Sequence, residues 1–221
     1  MASMMEIRRQ ILGFKPQTPV TGLLYSWDFT KSLVDSVQNL EAVDNSQGTV
    51  LTRDSEGLHF TVGRQELVLP WVYGANRAYE VDVASFVYGG GSNAHIRFIC
   101  FGVANGTDDI TKINSNTGLI YRKNSNNSQW AGWWSSWDMF LSSWPDYKDR
   151  NAISGKTVRV ELDSDYKMSV YIDGVFYGKS SIAFHRNETT GRCVRIGNAN
   201  SDSGNTFYTA LITGARVYDI S

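Results

Sequence analysis

The sequence predicts an all-β chain folded as a sandwich, and three observations predict it. Apolar and polar residues alternate at period two through most of the chain. Clusters of Gly, Asn, Ser and Asp separate the alternating runs. Helix signals are scarce: there are 20 glycines and no long stretch with a 3.6-residue apolar period.

The runs follow in order. GLLYSWDF (22–29) opens the series, and TVLTR (49–53), GLHFTV (57–62) and ELVLP (66–70) come next. AYEVDVASFVY (78–88), HIRFICFGVA (95–104) and GLIYRK (118–123) follow. In TVRVELD, Val158, Val160 and Leu162 share one face, while Thr157, Arg159, Glu161 and Asp163 share the other. YKMSVYID runs into Asp173-Gly174 and then VFYG, a strong hairpin signal because a type I′ turn needs positive φ at both central residues. RCVRIG (192–197) and FYTALITGARVYD (207–219) complete the set.

Two segments stand apart. Residues 1–20 place Arg8, Arg9 and Lys15 beside Ile7, Ile11, Leu12 and Phe14, an arm or short helix expected to hold a partner subunit in an assembly. Residues 105–150 are rich in Asn, Ser and Trp and read as an inserted loop, its Trp-rich part at about 124–150. Five of the seven tryptophans, Trp130, Trp133, Trp134, Trp137 and Trp144, fall within fifteen residues there. Three readings stay open: rings that pack on themselves, a protein interface, or a glycan site. The spacing of three to four residues also fits one face of a short helix.

With 221 residues the chain is long enough to bury a core without disulfides or a metal. A net charge of −1 argues against a general nucleic-acid or anionic-membrane binder. No window approaches the roughly 18 apolar residues of a membrane helix. The first residues, MASMMEIRRQILGFKP, contain no apolar h-region, so no secretory signal is expected. Cys100 and Cys193 are expected to be reduced thiols.

Three stretches resemble the laminin-G-like, concanavalin A-like superfamily. LLYSWDFTKSLVDSVQNLEAV is similar to its opening strand and following loop, with Asp35 and Asn39 in an Asp-x-x-x-Asn segment. GKTVRVELDSDYKMSVYIDGVFYGKSS resembles its Asp-Gly hairpin. RIGNANSDSGNTFYTALITGARVYD resembles its closing motif, in which the last strand pairs with the first. Spanning about residues 20–220, the resemblance implies a two-sheet antiparallel jelly roll, 21–221, behind the arm. Members include lectins, glycan-binding modules, adhesion domains, some glycanases and phage fibre domains, so the fold leaves function open.

The family's glucanases place Glu-x-Asp-x-Glu on one strand face, and glycoside hydrolysis needs two carboxylates across the bond. Here Glu80 and Asp82 share a face, but Ala84 stands at the third place, followed by Ser85. Glu161, Asp163 and Asp165 read as a solvated strand face and turn. No enzyme is therefore expected. His59, His95 and His185 each stand alone, without metal-ligand spacing. Some relatives bind calcium, and Asp35, Asn39 and Asp44 are the candidate ligands, with turn chemistry as the competing explanation. No other cofactor is expected. YGGGSNAH (88–95) lacks the Lys of a phosphate loop and reads as a strand connection. Sequons at Asn105, Asn126 and Asn187 matter only in a secreted eukaryotic protein.

The expectation is a non-catalytic, homo-oligomeric building block, by analogy a phage virion component such as a capsid decoration, head fibre or tail protein. It would reside in the virion, with the cytoplasm as the alternative, and could contact host glycans. A free-standing carbohydrate-binding lectin module is the second reading.

Overall fold

The computed structural model describes residues 22–46, 48–62, 65–90, 96–102, 117–122, 128–134, 137–183, 193–197 and 207–221. It is a two-sheet antiparallel β-sandwich, as the alternation predicts. The first sheet runs β13 (Val175–Ala183), β12 (Lys167–Ile172), β11 (Lys156–Leu162), β6 (Arg77–Gly90), β15 (Phe207–Asp219), β4 (Leu58–Phe60) and β3 (Thr52–Arg53). The second runs β10 (Trp137–Phe140), β9 (Gln129–Trp134), β8 (Thr117–Arg122), β7 (Ile96–Gly102), β14 (Cys193–Gly197), β5 (Glu66–Pro70) and β2 (Val43–Asp44).

The last strand organises the first sheet. One edge of β15 pairs with β6 from Phe207 to Asp219. Its other edge takes β4 at Ala210–Ile212 and then β1 (Gly22–Asp28) at Gly214–Asp219. The first-to-last pairing implied by the family resemblance is thus present. Asp173 and Gly174 turn the β12–β13 hairpin at φ 49° and 75°, both positive as a type I′ turn requires. No helix among the described residues is long and apolar enough to cross a membrane.

Between the sheets lies an aromatic-rich core. Val158, Val160 and Leu162 are fully buried on the face their alternation assigns. Phe86 meets Tyr208 at 4.6 Å and Phe98 edge-on at 5.9 Å. The buried Tyr208 hydroxyl has no hydrogen-bond partner among the described residues. A buried hydroxyl left without a partner costs about 1–3 kcal/mol. Tyr208→Phe is therefore expected to stabilise the fold by about 1 kcal/mol, read as a higher denaturant midpoint with an unchanged slope.

The structure corrects the expected solvated face of β11. Arg159 and Glu161 are only 1% and 4% exposed. Arg159 Nη2 lies 2.7 Å from Glu161 Oε1, and its Nη1 donates to Glu80 Oε1 at 3.3 Å. The guanidinium also sits over the Tyr218 ring, 5.6 Å from its centroid. Alternation identifies which face a residue takes, but not how large its neighbours are, and here long side chains close over one another. Asp163 is half-buried and closes the turn by accepting from the Asp165 and Lys167 N–H groups, while Asp165 is exposed. Cys100 and Cys193 are both buried thiols, and burial pushes Cys100 up to about 11.

Candidate functional site

Over its described residues the Trp-rich stretch does not form a helix. Gln129–Trp134 and Trp137–Phe140 are the paired strands β9 and β10 at the edge of the second sheet, with Trp137 opposite Trp134. The expected inserted loop is thus, over these residues, part of the sandwich. A spacing of three to four matched the helical period by coincidence, and pairing of β9 with β8 decides the backbone.

Trp130 and Trp144 are buried, at 0% and 3% exposure, so these two rings pack on the core and offer no open surface. Trp130 sits edge-on against Tyr121 at 5.5 Å and Phe86 at 5.8 Å. Trp144 packs on Tyr177 at 5.8 Å. The backbones of Trp133, Trp134 and Trp137 are strand, and their side chains lie outside the described set.

Trp130 also fixes the segment that follows. Its indole N–H donates to the Asp149 carbonyl at 2.9 Å, and its backbone N–H to the Tyr147 carbonyl at 2.8 Å. The Tyr121 hydroxyl donates to the Lys148 carbonyl at 3.0 Å. From the other side, the Tyr88 and Phe86 N–H groups of β6 donate to Asn151 Oδ1 at 2.9 Å and Ser154 Oγ at 3.1 Å. Residues 147–154 are thereby held between the two sheets.

This arrangement shapes an open cleft of about 280 Å³ lined by Tyr88, Tyr121, Ser128, Lys148, Asp149 and Arg150. Its lining draws on strands of both sheets and on the held segment. The Arg150 guanidinium rests 5.2 Å above the centre of the Tyr88 ring. Lys148, Asp149 and Arg150 are exposed while the two tyrosines are mostly buried. Burial raises the Tyr121 pKa above its ordinary value of 10. The cleft combines a serine hydroxyl, an ammonium, a guanidinium and a carboxylate beside two mostly buried tyrosines. Such a set can donate to and accept from adjacent hydroxyl groups of one ligand. The lining comes from three separated stretches of the chain, and sequence reading missed it. The only trace was the charged run Lys148-Asp149-Arg150.

The other candidates lie elsewhere. Both Glu80 and Asp82 are clamped by Arg216, which donates Nε to Glu80 Oε2 at 3.1 Å and Nη2 to Asp82 Oδ1 at 2.7 Å. Thr157 Oγ1 adds a bond to Asp82 at 2.9 Å, and Ala84 and Ser85 are exposed further along β6. Asp35 is buried, and each of its carboxylate oxygens accepts two backbone N–H groups, from Ser26 and Val37 and from Gln38 and Leu40. Asn39 closes that turn at φ 59°, and Asp44 accepts from the Ser46 and Leu51 N–H groups. All three candidate calcium ligands thus take part in turns. His59 does not stand alone: its Nε2 lies 3.0 Å from Asp54 Oδ2 in the β3–β4 turn. The arm residues Ile7, Arg8, Arg9, Ile11, Leu12 and Phe14 lie outside the described residues, as do His95, His185 and the three sequons.

No family model matches the chain, and no curated protein matches it. Solved structures do match. Domain 4 of AbnA, an extracellular GH43 arabinanase from Geobacillus stearothermophilus in complex with arabinotriose, aligns with a TM-score of 0.60 at 15% identity. The alignment covers 91% of this chain and 94% of that domain. Trypanosoma rangeli sialidase in complex with sialic acid gives 0.59 at 18% identity, covering 91% of this chain but 31% of the sialidase. The receptor-binding domain of botulinum neurotoxin D gives 0.51 at 12% identity, covering 90% and 49% of the two chains. At these identities the likeness shows the fold alone, a two-sheet β-sandwich.

Proposed function

We propose that the chain is a non-catalytic carbohydrate-binding module whose sugar site is the cleft between Tyr88, Tyr121 and Arg150. The observation that carries the reading is the convergence of hydroxyl, cationic and carboxylate groups in one open cleft lined from both sheets. Sugars present a rim of hydroxyls, and the exposed ammonium, guanidinium and carboxylate groups of this lining can bind them. A similar sandwich is attached to an arabinanase and was solved holding arabinotriose, which supports the class of ligand. The non-catalytic part rests on Glu80 and Asp82, whose oxygens are engaged by Arg159, Arg216 and Thr157.

An array of neutral and sialylated glycans tests the proposal. Binding is expected, and Arg150→Ala is expected to weaken it about 10-fold or more, the size of one charge-assisted hydrogen bond. The melting temperature should stay within a few degrees, because Arg150 is exposed. Retained affinity in Arg150→Ala and in Lys148→Ala would remove the cleft from the account. Hydrolysis of any bound glycan would refute the non-catalytic part.

A homo-oligomeric virion building block is the second reading. It rests on the resemblance to phage domains and on the arm at Ile7–Phe14, which lies outside the described residues. Its test is the mass of the purified chain: a stable oligomer that dissociates on deletion of residues 1–20 supports it, and a monomer of the full chain removes it.

A further inference from the structure

Trp71 is displayed by a backbone conformation that its residue type disfavours. It follows β5 at φ +62°, in the left-handed region, where a bulky side chain is an outlier. Its ring is 50% exposed. Trp27, Trp130 and Trp144, the other tryptophans whose side chains are described, are at most 3% exposed. The residues on both sides of Trp71 point the other way: Pro70, Val72 and Tyr73 are all buried. Strain of this kind persists only where the surroundings over-determine it. Here they do. Tyr73 packs on Phe101 at 5.3 Å and on Tyr166 at 5.8 Å. Gly74 N–H donates to the Tyr79 hydroxyl at 2.9 Å, and Ile220 N–H to the Asn76 carbonyl at 3.0 Å. The loop is pinned on both sides of one outward-facing indole.

Register places this indole far from the cleft. Pro70 and Gly102 both pair with Cys193, so Trp71 lies at the Gly102 end of β7. Tyr121 pairs with Ile96, at the other end of β7. Six residues of extended strand separate the two ends, about 20 Å at ~3.4 Å per residue.

We infer that Trp71 is a second sugar-contact residue, a rigid platform for the C–H face of one sugar ring. With the cleft it would make the module bivalent along a single glycan or between two. The inference rests on the carbohydrate reading above. A single ring flanked by buried residues suits a sugar ring, whereas a protein partner needs roughly 800 Å² of contact on each side. A loop that is already fixed also loses little further backbone freedom when its indole binds.

The test is nuclear magnetic resonance of the full chain titrated with arabinotriose, xylohexaose and 3′-sialyllactose. The Trp71 indole N–H signal is assigned by its disappearance in Trp71→Gly. The expected result is that at least one saccharide shifts this signal and that Trp71→Gly removes one of two binding events. Arg150→Ala should remove the other. Trp71→Gly should melt within a few degrees of the wild-type temperature, since relief of strain at φ +62° offsets the extra chain entropy of glycine. A melting temperature lower by about 10 °C or more would make Trp71 a packing residue and overturn the inference. So would saccharide binding that shifts cleft signals but leaves the Trp71 indole unmoved, an outcome that spares the carbohydrate reading. No shift with any of the three saccharides would count against both.

Discussion

Gly118→Ala is expected to cost about 2–6 kcal/mol and to leave much of the chain unfolded at 37 °C, a large share of the 5–15 kcal/mol typical of a domain. Gly118 sits in β8 at φ +150°, a region essentially reserved for glycine. A β-carbon there would collide with the Ile99 carbonyl oxygen and lie 2.7 Å from the Cys100 Cα. Both are backbone atoms of β7, which is held between β8 and β14 and cannot yield without breaking pairs. Backbone strain of this kind costs about 1–3 kcal/mol and overpacking about 1–3 more. Gly155→Ala is the control. It also has positive φ, at +70°, but nothing lies within 4 Å of the added carbon. It should cost about 1 kcal/mol, from backbone strain alone. Denaturant curves of the two variants measure the difference. Equal losses would mean that β7 gives way and that the collision is not real.

Asp35→Ala is expected to cost about 2–4 kcal/mol. The loop between β1 and β2 has little regular pairing, and the Asp35 carboxylate takes its place by gathering four backbone N–H groups. Removing it leaves those donors without their acceptor, and each buried donor so left costs about 1–3 kcal/mol, reduced where water reaches. The same contacts set a pH dependence. Burial pushes the carboxyl up, but the N–H groups of Ser26, Val37, Gln38 and Leu40 outweigh it and hold the pKa below the ordinary 3.8. A depressed carboxyl contributes stability that is full above pH ~4 and is lost as pH falls through the lower native value. Asp35→Asn should therefore be less stable than wild type at pH 7, and the gap should narrow toward pH 3. A gap that stays constant with pH would show that the charge on Asp35 contributes nothing.

Much of the fold could be read from residue order. Val158, Val160 and Leu162 announce their buried face, and Asp173-Gly174 announces its turn, because period and turn chemistry are local properties. What failed was non-local. Whether Trp130 belongs to a helix or a strand depends on β8 beside it, and its spacing to Trp133, Trp134 and Trp137 misleads. Arg159 and Glu161 read as wet because nothing in TVRVELD reveals Tyr218 and Glu80 across the sheet. The cleft escaped notice because residues 88, 121, 128 and 148–150 meet only after both sheets have formed. Trp71 escaped because tryptophan is not a turn residue, and a left-handed backbone at that position comes from its pinned neighbours. Asp35 and Asp44 were visible as acidic turn residues, and the structure shows the backbone N–H groups that each one gathers.

The position of β15 also governs how the chain must be made. This strand, Phe207–Asp219, is the shared neighbour of β1, β4 and β6. While a ribosome is still adding residues before Phe207, β6 has no partner on that side and β1 has none at all among the described strands. The growing polypeptide therefore holds long open strand edges until β15 emerges, the state in which β-rich chains are most prone to associate with one another. Its folding is slow by topology, since the pairings that close the first sheet link residues nearly two hundred positions apart, such as Gly22 and Asp219. A chain cut short by this one strand keeps the β13–β12–β11–β6 pairings but loses the only partner of β1 among the described strands and the joint between β6 and β4, and cells expressing it should yield inclusion bodies.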